Sequence, residues 1–364
     1  MNIQVHGAIE TNNFGDILLA VLFCRKIKDL GHTVIVKGAC KEFYDYMNGD
    51  VVTDGKPDKV VFCGGGYLCD GNLRFSLHMI KTIFINMAKC RIKKIPYVII
   101  GAGTKVFKCK ITKPFISWSI KGAEKIYVRN EESKLDLDKI GVKKNVYVTA
   151  DNVMVIDKNY IKEASIKKIK KLLSDMPQNN KNILIHLNYL NIDGNELITQ
   201  KAKVLYNAME KINEMYYDTN FIVCCDHKID LFIEQCNKLE NIFKKENSKI
   251  IISDNIDDML ALIYLSDGVI TTKLHVGISA VALNKKVVSF PMHPKTKRFF
   301  YQIGEAERCK MLEDINNEDE IISIIQKSMN KEYDENLVNI IRNRAKSNYD
   351  YLEKFVGVDE NGKF

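Results

Sequence analysis

Residues 268–290 read GVITTKLHVGISAVALNKKVVSF and hold one complete β–α–β unit. Gly268–Thr271 is a short β-branched run, 275–283 an apolar helical stretch, and 287–290 a second β-branched run. Two strands joined through a helix run parallel, since a tight hairpin can only return a strand antiparallel. Where the first strand passes into the helix stand Thr271, Thr272, Lys273, Leu274 and His275, a polar junction inside an otherwise apolar unit.

The same alternation extends in both directions. Upstream, strand-like runs at 182–187, 220–225 and 249–252 alternate with helical stretches at 160–174, 197–215, 228–239 and 256–264. The first half repeats the pattern, with strands expected at 2–6, 33–37, 59–63, 96–101, 125–128 and 145–149. Between them lie helical segments, notably Asp16–Leu30 and Leu73–Lys93. Strands alternating with helices imply an α/β fold with parallel sheets. Two such series predict two Rossmann-like domains facing a cleft, 1–157 and 158–317. A helical tail, 318–364, is expected to pack back across them. In open parallel sheets ligands bind beyond the carboxyl ends of the strands, so polar and glycine-rich motifs there are the place to look for function.

Composition narrows the class. With 46% hydrophobic and 27% charged residues over 364 positions, the chain can bury two ordinary cores. The ten cysteines are scattered, several within apolar runs and none with zinc-site spacing, so small buried thiols are expected. No run is apolar enough for a signal peptide or a spanning helix, which points to a soluble, cytoplasmic protein. The net charge of +8 favours anionic ligands in general, while no nucleic-acid motif accompanies it. A basic amphipathic stretch from Arg74 to Lys125, with Trp118 and several Phe, could rest on a membrane surface. Ordinary packing of its helices on the first sheet is the simpler expectation.

Five elements carry candidate chemistry. Asn12-Asn13-Phe14-Gly15-Asp16 joins the first strand to its helix. There Asp16 can act as a cap or first-turn carboxylate, or face a ligand together with Asn13. Gly64, Gly65 and Gly66 follow a strand, as a tight turn or where a ligand meets the main chain; Gly101-Ala102-Gly103 repeats the logic. In Val128-Arg129-Asn130-Glu131-Glu132-Ser133, Arg129 can meet an anion or pair with the neighbouring glutamates, and Asp151 stands after the next strand as a base or cap. At 271–275 a helix N-terminus, Thr272, Lys273 and His275 suit a phosphate or carboxylate and a proton shuttle. Finally, Pro291-Met292-His293-Pro294-Lys295 forms a basic loop after the next strand, where Lys295 could face the same anion. No metal constellation stands out; Asp254, Asp257 and Asp258 read as charges at a helix start.

In this order the five elements resemble the polysaccharide pyruvyl transferase family over roughly residues 1–305. The resemblance implies a fold similar to GT-B glycosyltransferases and phosphoenolpyruvate as donor substrate, with no cofactor. It further implies transfer of the enolpyruvyl unit onto a sugar of a glycan, or of a lipid-linked acceptor, as a ketal with release of phosphate. On that basis Thr272, Lys273, Leu274, Lys295 and Arg129 would hold the donor. His275 would be the acid or would bind the phosphate, Asp16 or Asp151 would be the base, and Asn13, Gly15, Gly64, Gly65 and Gly66 would line the acceptor side. The family's R-L-H motif is here Lys273-Leu274-His275, which keeps the charge and loses the guanidinium fork. An Arg expected near the end of the second domain's first strand has no counterpart in Ile185-His186-Leu187-Asn188-Tyr189. Two further readings stand beside this one. A nucleotide-sugar glycosyltransferase is one; such enzymes commonly place a Glu in the stretch equivalent to 277–283, where no acidic residue occurs. A non-catalytic glycan-binding family member is the other.

Overall fold

The structure, a computed structural model, describes residues 1–187, 196–216, 218–226, 230–243, 245–253 and 255–357. Asn188, Tyr189 and Asp254 lie outside the described residues. The chain divides into two compact units, Met1–Val155 with Ile341–Phe364, and Ile156–Ile340. The tail is therefore divided. Its helix Glu318–Asn330 stays with the second unit, whereas the last helix, Glu335–Val356, enters the first from Ile341 onward.

The first unit holds β1 (Asn2–His6), β2 (Thr33–Val36), β3 (Lys59–Phe62), β4 (Gly65–Leu68), β5 (Tyr97–Thr104), β6 (Ile126–Val128) and β7 (Val146–Val148). They pair in parallel in the order β2-β1-β3-β5-β6-β7, with β4 attached to β5. The order reverses between β1 and β3, which makes the carboxyl ends of those two strands the switch point where a ligand crevice is expected. The helix Phe14–Asp29 packs on β1 and β2. Asn13 caps it through its side-chain oxygen, Asp16 lies in its first turn, and Lys26 and Lys28 lie in its last, each sign matching the helix dipole. Every residue from Ile17 to Cys24 is buried, because the last helix covers the outer face. There Tyr349 stacks on Phe23 at 5.2 Å and Glu353 meets Lys26 at 2.5 Å.

Two local departures from the sequence reading have physical causes. Of the two readings of the glycine run, a turn or a ligand-facing main chain, the turn gives way to β4, since Tyr67 and Leu68 bury their side chains and the Tyr67 hydroxyl donates to the Cys63 carbonyl at 2.6 Å. The segment expected as one helix over Leu73–Lys93 is helical throughout but passes through a π turn at Ile80–Phe84. That turn rotates the apolar register, so that Ile83 and Phe84 join Met79 and Met87 in the core over the first sheet.

The second unit holds β8 (Lys181–His186), β9 (Thr219–Cys225), β10 (Ser248–Ile252), β11 (Gly268–Thr271) and β12 (Lys286–Ser289), all parallel in the order β10-β9-β8-β11-β12. Its switch point falls between β8 and β11, which pair Thr271 with His186. Both sheets are thus flanked by helices in α/β fashion. None of the ten cysteines is in a disulfide; eight are buried, and Cys40 and Cys109 are half-buried.

Asn348 ties the last helix to the first sheet. It is wholly buried and donates to the Ala150 carbonyl at 3.1 Å and to Asn152 Oδ1 at 2.7 Å. Asn348→Ala leaves two buried acceptors without a donor and is expected to destabilise the first unit by about 1–3 kcal/mol. Urea unfolding followed by Trp118 fluorescence checks it; an unchanged midpoint would show the tie to be dispensable.

Candidate functional site

The carboxyl edge of the first sheet is built around Asn152. Its Nδ2 donates to the Ile100 carbonyl at 3.1 Å, and its amide fills the space beside Gly101 and Gly64. A Cβ on Gly101 would stand 2.0 Å from Asn152 Nδ2, and one on Gly64 2.8 Å from it. Gly101 also adopts a φ of +75°, a region that side chains resist. Gly103 is required for a different reason: a Cβ there would lie 2.5 Å from Arg129 Nε, so the guanidinium passes directly over it.

The three consecutive glycines consequently differ in role. Gly64 is fixed by packing and Gly65 by its φ of +126°, its Cβ position lying 3.3 Å from Asp16 Oδ1. At Gly66 nothing stands within 4 Å of an added Cβ, so this glycine faces open space. Asp16 is half-buried beside Gly65; burial, with the Asp16 carboxylate adding to it, pushes the Cys63 thiol up to about 12. Asn13 spends its side-chain oxygen on the Gly15 N–H at 3.1 Å, so both residues serve the helix start.

Arg129 pairs with Asp151 at 3.1 Å, and both are buried. This differs from the two expectations of pairing with Glu131 or Glu132, because the ends of β6 and β7 lie side by side. Asn130 and Ser133 of the same motif are structural. Asn130 caps the helix Glu131–Lys139, accepting from Ser133, and the Ser133 hydroxyl accepts from the Thr104 N–H at the end of β5. Arg129, expected among the donor-binding residues, belongs to the first unit, whereas Thr272, Lys273, Leu274 and Lys295 belong to the second.

Beside this edge a pocket of about 370 Å³ opens at the ends of β1 and β2, lined by Gln4, His6, Glu10, Lys37, Lys81 and Asn86 among others. The His6 ring stacks on Phe62 at 5.0 Å. Burial, reinforced by Lys37 and Lys89, lowers its pKa to about 4.

In the second unit the helix Leu274–Ala282 starts directly at the end of β11. Thr271 Oγ1 accepts from the Lys273 N–H at 3.0 Å and thereby fixes the turn into the helix. Thr272 and His275 are buried and Lys273 is half-buried. Leu274 is buried as well, so what it offers a ligand is its main-chain N–H. Lys295, read from the sequence as part of a loop, lies in the first turn of the helix Pro294–Gln302, with Pro294 opening that helix. Because β11 and β12 are neighbours in register, these two helix starts lie at adjacent strand ends.

One group escaped the sequence reading. His186, at the end of β8, is fully buried between Thr271 and Asp226. Its Nδ1 lies 3.4 Å from Thr271 Oγ1 and its Nε2 3.4 Å from Asp226 Oδ1. With a neutral imidazole one arrangement of protons fits these contacts: His186 Nε2–H donates to Asp226, the Thr271 hydroxyl donates to His186 Nδ1, and the Lys273 N–H donates to Thr271. The available signal was a histidine closing an apolar strand next to a Thr-Thr-Lys turn.

Two parallel α/β units with their polar groups gathered at strand carboxyl ends define a fold of the GT-B type. Solved structures bear this out at the level of fold. UDP-GlcNAc 2-epimerase from Neisseria meningitidis, bound to UDP-GlcNAc, is 16% identical with a TM-score of 0.64, covering 97% of this chain and 100% of that one. The UDP-GlcNAc 2-epimerase of Methanocaldococcus jannaschii is 14% identical with a TM-score of 0.63, covering 98% and 100%. A glycosyltransferase from Rickettsia africae is 13% identical with a TM-score of 0.53, covering 96% and 93%. No curated protein matches the sequence. The model of the polysaccharide pyruvyl transferase family matches residues 13–294, and the chain belongs to that family of transferases.

His6 sets a pH dependence whose sign follows from linkage. Its folded pKa of about 4 lies below the ordinary value of 6.5, so the unfolded chain binds the proton more readily. Stability is therefore lost as pH falls from 6.5 toward 4. Thermal melts across that window should show a steeper decline for the wild type than for His6→Gln; parallel curves would remove His6 as the cause.

Proposed function

We propose that the protein transfers the enolpyruvyl unit of phosphoenolpyruvate onto a sugar of a cell-surface glycan, such as a capsular polysaccharide, or of its lipid-linked precursor. The observation that carries this reading is the start of the helix Leu274–Ala282, where main-chain N–H groups meet Lys273 and His275. Unpaired N–H groups and the dipole at a helix start favour a phosphate or a carboxylate, and phosphoenolpyruvate presents both. Family membership supports the same assignment.

In the reaction two acceptor hydroxyls add to C2 of the enol, one of their protons goes to the methylene to make a methyl group, and phosphate departs with the electron pair of the C2–O bond and takes up the other proton. Lys273, Lys295 and the helix start hold the donor's two anionic groups. His275 supplies the proton or steadies the leaving phosphate. Asp16, beside the open space at Gly66, is the base for the acceptor hydroxyl. Asp151 instead keeps Arg129 in place across Gly103, which corresponds to a positioning role. The His186–Thr271 contact orients the turn that presents Lys273. Peripheral contact with the cytoplasmic face of the membrane belongs to the same proposal. Among the described residues no helix is long and apolar enough to cross a membrane.

Phosphoenolpyruvate should raise the melting temperature of the purified protein, as any ligand of the folded state does. At about 100 times its Kd it adds about 2.7 kcal/mol. Lys273→Ala should abolish the shift, and UDP, GDP and CMP should give none. Stabilisation by a nucleotide alone would overturn the proposal in favour of a nucleotide-sugar glycosyltransferase.

A further inference from the structure

Between residues 71 and 123 the chain carries eleven Lys and Arg and no Asp or Glu, although 46 acidic residues are spread over its 364 positions. The inward side of this segment packs as ordinary helices do, with Met79, Ile83, Phe84, Met87, Ile116 and Ile120 in the core. That packing leaves the outer side unexplained. Ile111 is 77% exposed, Ile92 71% and Leu77 53%, and Leu73, Val106 and Trp118 are exposed beside them. Large apolar side chains gathered on a surface mark an interaction site rather than a core.

Contacts tie together the segments that carry these side chains. Asp70 accepts from the main-chain N–H groups of Lys108 and Cys109, which pins the loop carrying Val106 and Ile111 against the start of the helix Leu73–Met79. The helix Lys113–Ile120 continues from that loop and packs on the helix Ile85–Lys93. At their contact Arg91 lies over the Trp118 ring at 4.7 Å and donates to the Trp118 carbonyl. The same segments carry Arg74, Lys89, Lys93, Lys105, Lys108 and Lys110, all of them exposed, and no carboxylate of the segment opposes them.

We propose that this face docks on an anionic lipid bilayer, with Ile111, Leu77, Ile92 and Trp118 entering the headgroup region and the surrounding lysines held by acidic headgroups. The combination of protruding apolar side chains and one sign of charge is what a peripheral membrane surface requires. A protein partner of ordinary mixed surface would leave a large uncompensated positive field. The helix Leu73–Met79 follows the end of β4, and the Lys105–Lys110 loop follows the end of β5. The face thus adjoins the edge that carries Asp16 and Gly66. Its use, delivery of a lipid-linked sugar to that edge, rests on the function proposed above; the docking itself does not.

Vesicle flotation tests it with the full chain. Phosphatidylcholine vesicles containing roughly one-third phosphatidylglycerol should carry the protein upward, and pure phosphatidylcholine should carry far less. Raising the salt to about 1 M, which shortens the screening length to about 3 Å, should release most of it. Lys105→Glu with Lys108→Glu and Lys110→Glu should weaken partition about tenfold or more, and Ile111→Asp should weaken it independently. All four positions are on the surface, and an unchanged melting temperature confirms that each variant folds. The proposal is overturned if the wild type stays behind with anionic vesicles, or if both variants float as it does. A dimer that Ile111→Asp dissolves, without flotation, overturns it too and assigns the face to a second copy of the chain. Phosphoenolpyruvate binding is read separately, so failure of one result leaves the other standing.

Discussion

The wedge formed by Asn152 is the constraint on which the first unit's functional edge depends. One amide occupies the volume that side chains at Gly64 and Gly101 would need, and bonds the Ile100 carbonyl as it does so. Gly64 follows β3, Gly101 lies in β5 and Asn152 follows β7, so a single residue sets the spacing of three strand ends. Asn348 holds that wedge from behind with a bond of 2.7 Å. The last helix is therefore part of the site's foundation, which accounts for its joining the first unit rather than the sheet that precedes it in sequence. With Gly64 fixed by packing and Gly65 and Gly101 by their backbone conformation, Gly66 is the glycine of the run that opens onto free space.

The second unit reaches a similar end by a different route. Its helix start has no side-chain cap, because Lys273 occupies the cap position. The Thr271 hydroxyl replaces that cap by accepting from the Lys273 N–H, and His186 and Asp226 stand behind Thr271 in turn. A helix start without a local cap keeps its remaining N–H groups for a ligand. The support beneath the sheet edge, Thr271 and His186, thus holds the turn from which Lys273 projects.

Much of the fold was legible because parallel strands buried on both faces write themselves as continuous β-branched runs. Val60-Val61-Phe62 and Val269-Ile270-Thr271 need no context to be read. Motif positions at strand ends were legible for the same reason, since topology alone dictates where such ends collect. What the sequence could not express is which residue meets which across the sheet. Arg129 has two glutamates within three residues and chooses Asp151, twenty-two positions away, because β6 and β7 are paired. Asn152 carried no signal beyond following Asp151. His186 closes an apolar strand, and its partners Thr271 and Asp226 are remote in sequence, so nothing local marks it. The glycine run became a strand because burial of Tyr67 and Leu68 outweighs local turn preference.

The replacement of a guanidinium fork by Lys273 bears on how an anion would be held. A fork fixes a planar group through two parallel bonds, whereas an ammonium is a compact charge with no planar preference. A site that relied on the fork for orientation would lose specificity on this exchange. A site that takes orientation from main-chain N–H groups would lose little, because those donors are fixed by the helix itself. Here the turn into the helix is held from below by Thr271 and His186, and a second helix start with Lys295 stands at the adjacent strand end. On the proposed reading, direction comes from the backbone and charge from two lysines. That division of labour explains how a family member can do without the arginine at this position.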